Sequence, residues 1–476
     1  MDKVIVTGAN GFVGSHLVPL LIEKGFDVHC LVRYTSDISS LRGQNVTLHI
    51  GDTRDITTLK APIEGAIYIF HLAARLLVTT EKDFNETNIE GTRNVFDAAE
   101  RYAKDSLARL VFVSSLASAG PNPSAEPYTE TATLNPISMY GRSKKQSEAV
   151  AHSYYNRLPV TIVRPAIVYG EREQDLSQIF PLVEYRLQPK LGLTEKLSNG
   201  IYVGDLVEGI VAAALSDKSI GETYFLNNAE LLTSKSIVQK IGEAMDKKAG
   251  LAIGVPDFLI RGMAPISELV YFFNRDRPKM TKDKALEVTR KYWLADPSKA
   301  QRDFGWVARH DMVSGLRKTL IPYFAEKKVL REMALENNGI LWLKYFLTAF
   351  ALGCIVELIS YIGKFYTFTP GWLIFVIIIG AFGLLFASLA KALRKQSAWL
   401  QFVVGALSAG SIELINVLGI LGNYHWDFAP GWPLGITNVW VRTVVLALPG
   451  GVFILLLNFL MRASYKMRLD KEGDKA

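Results

Sequence analysis

Tyr140 and Lys144 stand four residues apart in the run Tyr140-Gly141-Arg142-Ser143-Lys144. On a helix that spacing puts both side chains on one face. An ammonium beside a phenol favours the phenolate and lowers the tyrosine pKa, which makes the phenol a workable acid/base for an alcohol/carbonyl pair near neutral pH. Upstream, Val111-Phe112-Val113-Ser114-Ser115 reads as a strand that ends in two hydroxyls, and a serine there can hydrogen-bond a substrate oxygen. No metal-ligand spacing such as paired histidines is visible, and no metal is expected.

Such groups work only if something holds a reaction partner against them. The chain opens on a strand, Lys3-Val4-Ile5-Val6, that runs into Thr7-Gly8-Ala9-Asn10-Gly11-Phe12-Val13-Gly14, followed by a helical pattern through Leu17, Leu20 and Leu21. Strand, glycine turn and helix in this order form a phosphate cradle. Gly8 permits the tight turn, Gly11 lets the backbone approach a pyrophosphate, and Gly14 lets helix and strand pack closely. The helix N-terminus adds N–H donors and a positive dipole end. Further apolar strands are expected at Asp27–Val32, 46–50, 66–72 and 108–114, with helical spacing over 88–104. This alternation predicts an α/β fold with a doubly wound parallel sheet of Rossmann type, which binds ligands at the carboxyl ends of its strands. Lys144 could there also donate to a nicotinamide ribose.

The combination resembles the extended short-chain dehydrogenase/reductase family over roughly residues 1 to 326. The motifs occur in order: Thr7 to Gly14, Gly51-Asp52-Thr53-Arg54-Asp55, His71-Leu72-Ala73-Ala74, Asn88-Ile89-Glu90-Gly91-Thr92, Ser114-Ser115, Tyr140 to Lys144, Arg164-Pro165-Ala166-Ile167-Val168-Tyr169-Gly170, and Tyr202-Val203-Gly204-Asp205. Ser114 to Asn122, with Asp296-Pro297-Ser298-Lys299-Ala300 and Phe304-Gly305-Trp306, is most similar to the 3β-hydroxysteroid dehydrogenase and dihydroflavonol reductase branch. The resemblance implies that Tyr140 is the general acid/base, Lys144 its pKa-lowering partner and Ser115 the group that orients the reacting oxygen. It implies a dinucleotide held by Gly8, Asn10, Gly11, Phe12, Val13 and Gly14, with Asp52 and Thr53 at the adenine and Leu72, Ala73 and Ala74 packed along it. Asn88, Ser114, Pro165, Ile167 and Val168 complete the implied cofactor site beside Tyr140 and Lys144. NAD-preferring members often end the second strand on an acid. Here it reads Cys30-Leu31-Val32-Arg33, and Arg33 could accept a 2′-phosphate, so NADP is preferred over NAD. Leu116 and Ala117 stand where the family's sugar dehydratases carry carboxylates, which disfavours dehydration.

The composition changes near residue 335. Four long apolar stretches follow, roughly 340–362, 372–390, 399–421 and 439–461, each near the ~20 residues that cross a bilayer. Lys327, Lys328 and Arg331, then Lys391, Arg394 and Lys395, then Arg462, Lys466, Arg468 and Lys471 flank them on alternate sides. By the positive-inside rule both termini face the cytoplasm, in an integral protein of a bacterial inner membrane. Glu413 and Asn416 would share a helical face within the third stretch, a pattern read first as hydrogen bonding between helices. The net charge of +7 clusters largely near these stretches, and no aromatic-basic motif appears, so no nucleic-acid partner is expected. Only two cysteines, Cys30 and Cys354, far apart, fit a reducing compartment, and no cleavable signal peptide is read before the first strand.

The domain expectation is therefore a dinucleotide-binding domain over 1–167, a substrate subdomain over 168–330 with returns to the first, and an all-α four-span membrane domain over 335–470. The function expected is a membrane-anchored NAD(P)-dependent oxidoreductase acting on a lipophilic alcohol or ketone such as a sterol, isoprenoid or acyl chain. The partners are that substrate, the lipid bilayer and, left open, a second copy of the chain. Two alternatives stay open: a nucleotide-sugar or lipid-linked-sugar epimerase or reductase, and a nucleotide-binding membrane subunit without catalysis.

Overall fold

A computed structural model describes residues 1–336, apart from 77–79, 174, 193, 248–249 and 275–279. The four apolar stretches lie outside the described residues. Among the described residues no helix is long and apolar enough to cross a membrane. Residues Met1–Tyr323 form one compact unit.

Its centre is a seven-stranded sheet of β1 (Lys3–Thr7), β2 (Asp27–Val32), β3 (Thr47–Ile50), β4 (Tyr68–His71), β5 (Arg109–Val113), β6 (Val160–Pro165) and β7 (Glu222–Leu226). The order is β7-β6-β5-β4-β1-β2-β3 and every pairing is parallel. Parallel strands carry helices on both faces, so their sequences run apolar almost without a break. Val4 and Val6 bury on one face and Ile5 on the other; Val111 and Val113 likewise oppose Leu110 and Phe112. Helices α1 (Gly14–Glu23) and α4 (Val203–Leu215) cover the first face through Leu17, Leu21, Leu206 and Ile210. Helices α2 (Gly91–Tyr102) and α3 (Met139–His152) cover the second through Phe96, Ala99, Val150 and Ala151.

The strand order reverses between β1 and β4, and this switch point opens a crevice at the carboxyl ends of the strands. The smaller subregion begins where β6 ends. Ile167–Tyr169 pairs with Gly200–Tyr202, and Leu197–Ser198 lies between Leu232–Thr233 and Tyr292–Trp293. A third core of Tyr169, Phe180, Leu232, Ile241 and Leu316 binds these pieces. β7 returns from this subregion to the edge of the main sheet beside β6, so the chain enters the Rossmann core twice. Helix α5 (Lys282–Val288) closes against the start of α3.

Candidate active site

The cradle is built as the spacing predicts. Gly8 sits at φ +71°, where side chains are strained, and a Cβ on it would lie 2.8 Å from the Ala73 amide nitrogen. A Cβ on Gly14 would collide with the Gly8 carbonyl and with Ala9, so α1 can meet β1 only through a glycine. The turn is closed by Gly11 N–H donating to the Gly8 carbonyl at 3.0 Å, and Val13 begins α1 with no side-chain cap. Backbone amides at a helix start, pressed against the loop after β4, fit the pyrophosphate of a dinucleotide. Phe12 is anchored locally, its carbonyl accepting from the Ser15 hydroxyl at 2.8 Å, and Asn10 donates to the Asp37 carbonyl at 3.1 Å.

Most of the other cofactor candidates sit at or just past the ends of β2, β3, β4 and β6. Leu72 N–H donates to the Thr7 carbonyl, and Ala73 N–H to the Thr7 hydroxyl at 3.2 Å, so the Leu72-Ala73-Ala74 segment is stitched to the end of β1. Arg33 is exposed at the end of β2. Asp52 follows β3, and its carboxylate is gripped by Arg54 at 2.7 Å; these hydrogen bonds hold it below the usual carboxylate range. Thr53 is buried and its carbonyl accepts from Asn94. Asn88 spans two elements: it accepts from Arg75 N–H at 2.8 Å and donates to the Arg75 carbonyl and to Ser143 Oγ of α3. Pro165 ends β6, Ile167 is exposed just beyond it, and Val168 packs partly buried against the core.

Beneath the crevice runs a buried relay that the sequence did not single out. His71 Nδ1 meets the Thr7 hydroxyl at 2.7 Å and its Nε2 meets the Thr92 hydroxyl at 3.0 Å. Thr92 spends its own proton on the Asn88 carbonyl, so it accepts from His71. The neutral Nε2–H tautomer satisfies every partner. Burial, with the Lys144 ammonium nearby, pushes His71 down to about 3 from 6.5. The unfolded chain therefore binds a proton on this residue between those values while the fold does not, and stability contributed by the neutral ring is lost as pH falls from about 6.5 through about 3. Thermal unfolding at stepped pH should show this acid limb in the natural chain and a flatter one in His71→Gln.

Ser114 and Ser115 are separated by the backbone. The Ser114 hydroxyl turns inward and donates to Glu148 Oε1 at 2.5 Å. Ser115 caps a short turn over Leu116–Ser118, accepting from Ala117 N–H at 3.1 Å, and its hydroxyl lies close to the Tyr140 phenol. Helix α3 reaches this turn because Gly141 carries no side chain; a Cβ there would run into the Ala117 carbonyl. Ser138 caps α3, accepting from Gly141 N–H at 2.9 Å. Phe84 lies beside the phenol with ring centres 6.2 Å apart.

Lys144 shares the helix face with Tyr140, but the phenol lies above its ordinary value where the sequence expectation put it below. Its ammonium donates to the Val113 carbonyl at 2.8 Å and rests over the Phe112 ring, and burial brings its pKa down to about 8. The phenol stands above its ordinary value, raised by burial and then by Glu287, with only the nearby Ser115 hydroxyl opposing. The Val113 bond takes one of the three ammonium donors, which leaves the capacity to hold a ribose hydroxyl. Glu148, eight residues after Tyr140 on the same face, completes the column. It forks onto Arg164 at 2.6 and 3.0 Å, and both side chains are buried. Its i+8 spacing was a visible signal. Asp283 and Glu287, which grip the start of α3, had none.

The sequence profile of the NAD dependent epimerase/dehydratase family matches residues 4–226. A relative from Escherichia coli O157:H7, named N-acetyl-alpha-D-glucosaminyl-diphospho-ditrans,octacis-undecaprenol 4-epimerase, is 30% identical over 257 residues, covering 52% of this chain and 73% of that protein. The chain belongs to the NAD-dependent epimerase/dehydratase family. It is a nicotinamide-dinucleotide-dependent enzyme of the kind that acts on CH–OH groups. Sterol demethylase protein B of Methylococcus capsulatus is 27% identical over 312 residues, 64% of this chain and 93% of that one. The crystal structure of a Bacillus cereus UDP-glucuronic acid 4-epimerase, in complex with UDP-glucuronic acid and NAD, shares the fold with a TM-score of 0.54 at 22% identity, over 68% of this chain and 99% of that chain.

Proposed function

We propose that this family member is a membrane-tethered oxidoreductase that interconverts a secondary alcohol and a ketone on a lipophilic substrate. The observation that carries the reading is the grouping of the Ser115 hydroxyl, the Tyr140 phenol and the Lys144 ammonium beside a glycine cradle that a dinucleotide fits. Bound there, the dinucleotide supplies the hydride acceptor or donor. The protein contributes position and proton control. Ser115 orients the reacting oxygen, Tyr140 holds or takes its proton, Lys144 binds the ribose, and Asn88 ties the loop after β4 to α3. Leu116 and Ala117, buried after Ser115, offer no second acid for dehydration.

The phenol rests protonated, the form that gives a proton to a carbonyl oxygen in reduction, and the same groups run in reverse in oxidation. NADP is the preferred dinucleotide because Arg33, not an acid, follows β2. The four apolar stretches would keep the catalytic unit on the cytoplasmic side of a bacterial inner membrane, where a bilayer-borne substrate is concentrated. Two relatives whose names include a sterol and an undecaprenol support a lipid substrate. The first of them also favours a second reading, epimerisation of a lipid-linked sugar.

The test uses the full chain in detergent with NADPH and NADP. A 3β-hydroxysterol with its ketone, a 3-oxoacyl chain, and undecaprenyl-diphospho-N-acetylglucosamine are offered in turn. Stoichiometric change in nicotinamide absorbance with either of the first two supports the oxidoreductase. Sugar inversion without net change of the dinucleotide replaces it by the epimerase. Dinucleotide binding with no conversion of any probe leaves a non-catalytic subunit.

A further inference from the structure

We infer that α5 is a clamp on the reacting helix, with Asp283 and Glu287 as positioning residues that set where Tyr140 stands. The inference rests on the acid/base reading of Tyr140 given above. The first turn of a helix leaves backbone N–H groups without internal partners. In α3 the cap Ser138 takes one of them, Gly141 N–H. The next two go to a residue some 140 positions away: Met139 N–H donates to Asp283 Oδ1 at 2.6 Å and Tyr140 N–H to Asp283 Oδ2 at 3.1 Å. One carboxylate therefore holds the backbone of the reacting tyrosine itself, and its charge complements the helix dipole.

One turn further along α5, Glu287 accepts from the cap's own hydroxyl, Ser138 Oγ, at 2.6 Å. The two acids at i and i+4 thus grip the cap and the two residues after it. α5 is itself held within the second subregion. Thr281 caps it, Ala285 is buried against Ile260 and Ala264, Lys284 pairs with Asp175 at 3.5 Å, and the Glu287 carbonyl accepts from Trp293 Nε1. Any shift of that subregion is passed to the Tyr140 backbone through two hydrogen bonds. Glu287 also acts on the phenol's charge state. Glu287 faces Lys284, Asp283 and Ser138, with Asp175 and Glu173 beyond Lys284, and its negative charge raises the Tyr140 phenol.

A cap that merely steadied α3 would leave the phenol's titration alone, and this separates the two roles. The full chain in detergent, labelled with ¹³C at tyrosine Cζ, gives a Tyr140 signal identified by its loss in Tyr140→Phe. Glu287→Gln keeps an acceptor for Ser138 and removes the charge, so the signal should titrate at lower pH than in the natural chain. Asp283→Ala should lower kcat about tenfold on a substrate found above, with the dinucleotide KM unchanged. Asp283→Asn, which keeps one acceptor oxygen, should recover part of it and serves if the alanine variant does not fold. An unmoved Tyr140 signal in Glu287→Gln, or natural kcat in Asp283→Ala and Asp283→Asn, overturns the clamp. Full activity in Tyr140→Phe would overturn the acid/base reading instead, and the two failures are distinct.

Discussion

Tyr140→Phe is expected to lower turnover by about 10²–10⁴-fold, the usual worth of a positioned general acid, while dinucleotide affinity stays within about twofold. The substitution removes one oxygen. The ring keeps its place beside Phe84, the backbone N–H keeps its bond to Asp283, and the Tyr140 carbonyl still accepts from Ser143 Oγ at 2.8 Å. The glycine loop and Lys144 are untouched, so fluorescence titration with NADPH should read the same affinity. The Ser115 hydroxyl remains, but a serine alone is a poor proton donor, and the substrate oxygen would be left oriented and unprotonated. The pH profile gives a second check. A phenol held above its ordinary value stays protonated through neutral pH, so the reductive rate of the natural enzyme should fall only on the alkaline side. Lys144, which loses its proton near 8, sets the first alkaline fall in both proteins, and only the later limb of the phenol should vanish in the variant. A variant as active as the natural chain would remove Tyr140 from the mechanism.

The outcome for Lys144 shows where a sequence stops speaking. The i, i+4 spacing correctly put phenol and ammonium on one face of α3. The sign of the phenol's shift depends on burial and on Glu287, and neither is encoded within the helix. The strands were legible because buried parallel strands are apolar runs with sharp ends: β1, β2, β4 and β5 lie within a residue or two of their expected limits. Around Asn88 the expectation of regular helix was too simple. Residues Asn85–Glu90 form a wider π-turn before α2, and Asn88 uses its side chain to join Arg75 to Ser143. Periodicity carries no record of such a bulge. The family resemblance named Ser115 as the group that orients the reacting oxygen, and the Ser114 hydroxyl is committed to Glu148. Asp283 and Glu287 reach α3 only through tertiary folding, and no local pattern marks them.

Breaking the Glu148–Arg164 pair should be the most damaging change to stability: about 3–5 kcal/mol for Arg164→Met or Glu148→Leu, because each leaves an uncompensated buried charge. The side chains are 4% and 2% exposed. Glu148 also accepts from Ser114 and Ser118 at 2.5 and 2.7 Å, so one carboxylate organises β5's end, the turn after Ser115, helix α3 and strand β6. Arg164 Nη1 has no hydrogen-bond partner, and the guanidinium lies 5.4 Å from the Phe225 ring centre on β7. The pair is thus already incompletely satisfied, which makes a lone arginine there costlier still. Native-state hydrogen exchange of the full chain reads the effect where it acts, as lost protection of β5 and β6. The double variant Arg164→Met with Glu148→Leu should recover much of the loss, since an apolar pair of similar volume needs no desolvation. Glu148→Leu should also loosen Ser115, whose neighbour Ser114 would lose its anchor, and so lower turnover beyond what the surviving folded fraction accounts for. If exchange at β5 and β6 were unchanged in both single variants, the buried pair would not be what binds α3 to the sheet, and the rigidity of the site would have to come from the Gly141 contact and the α5 carboxylates alone.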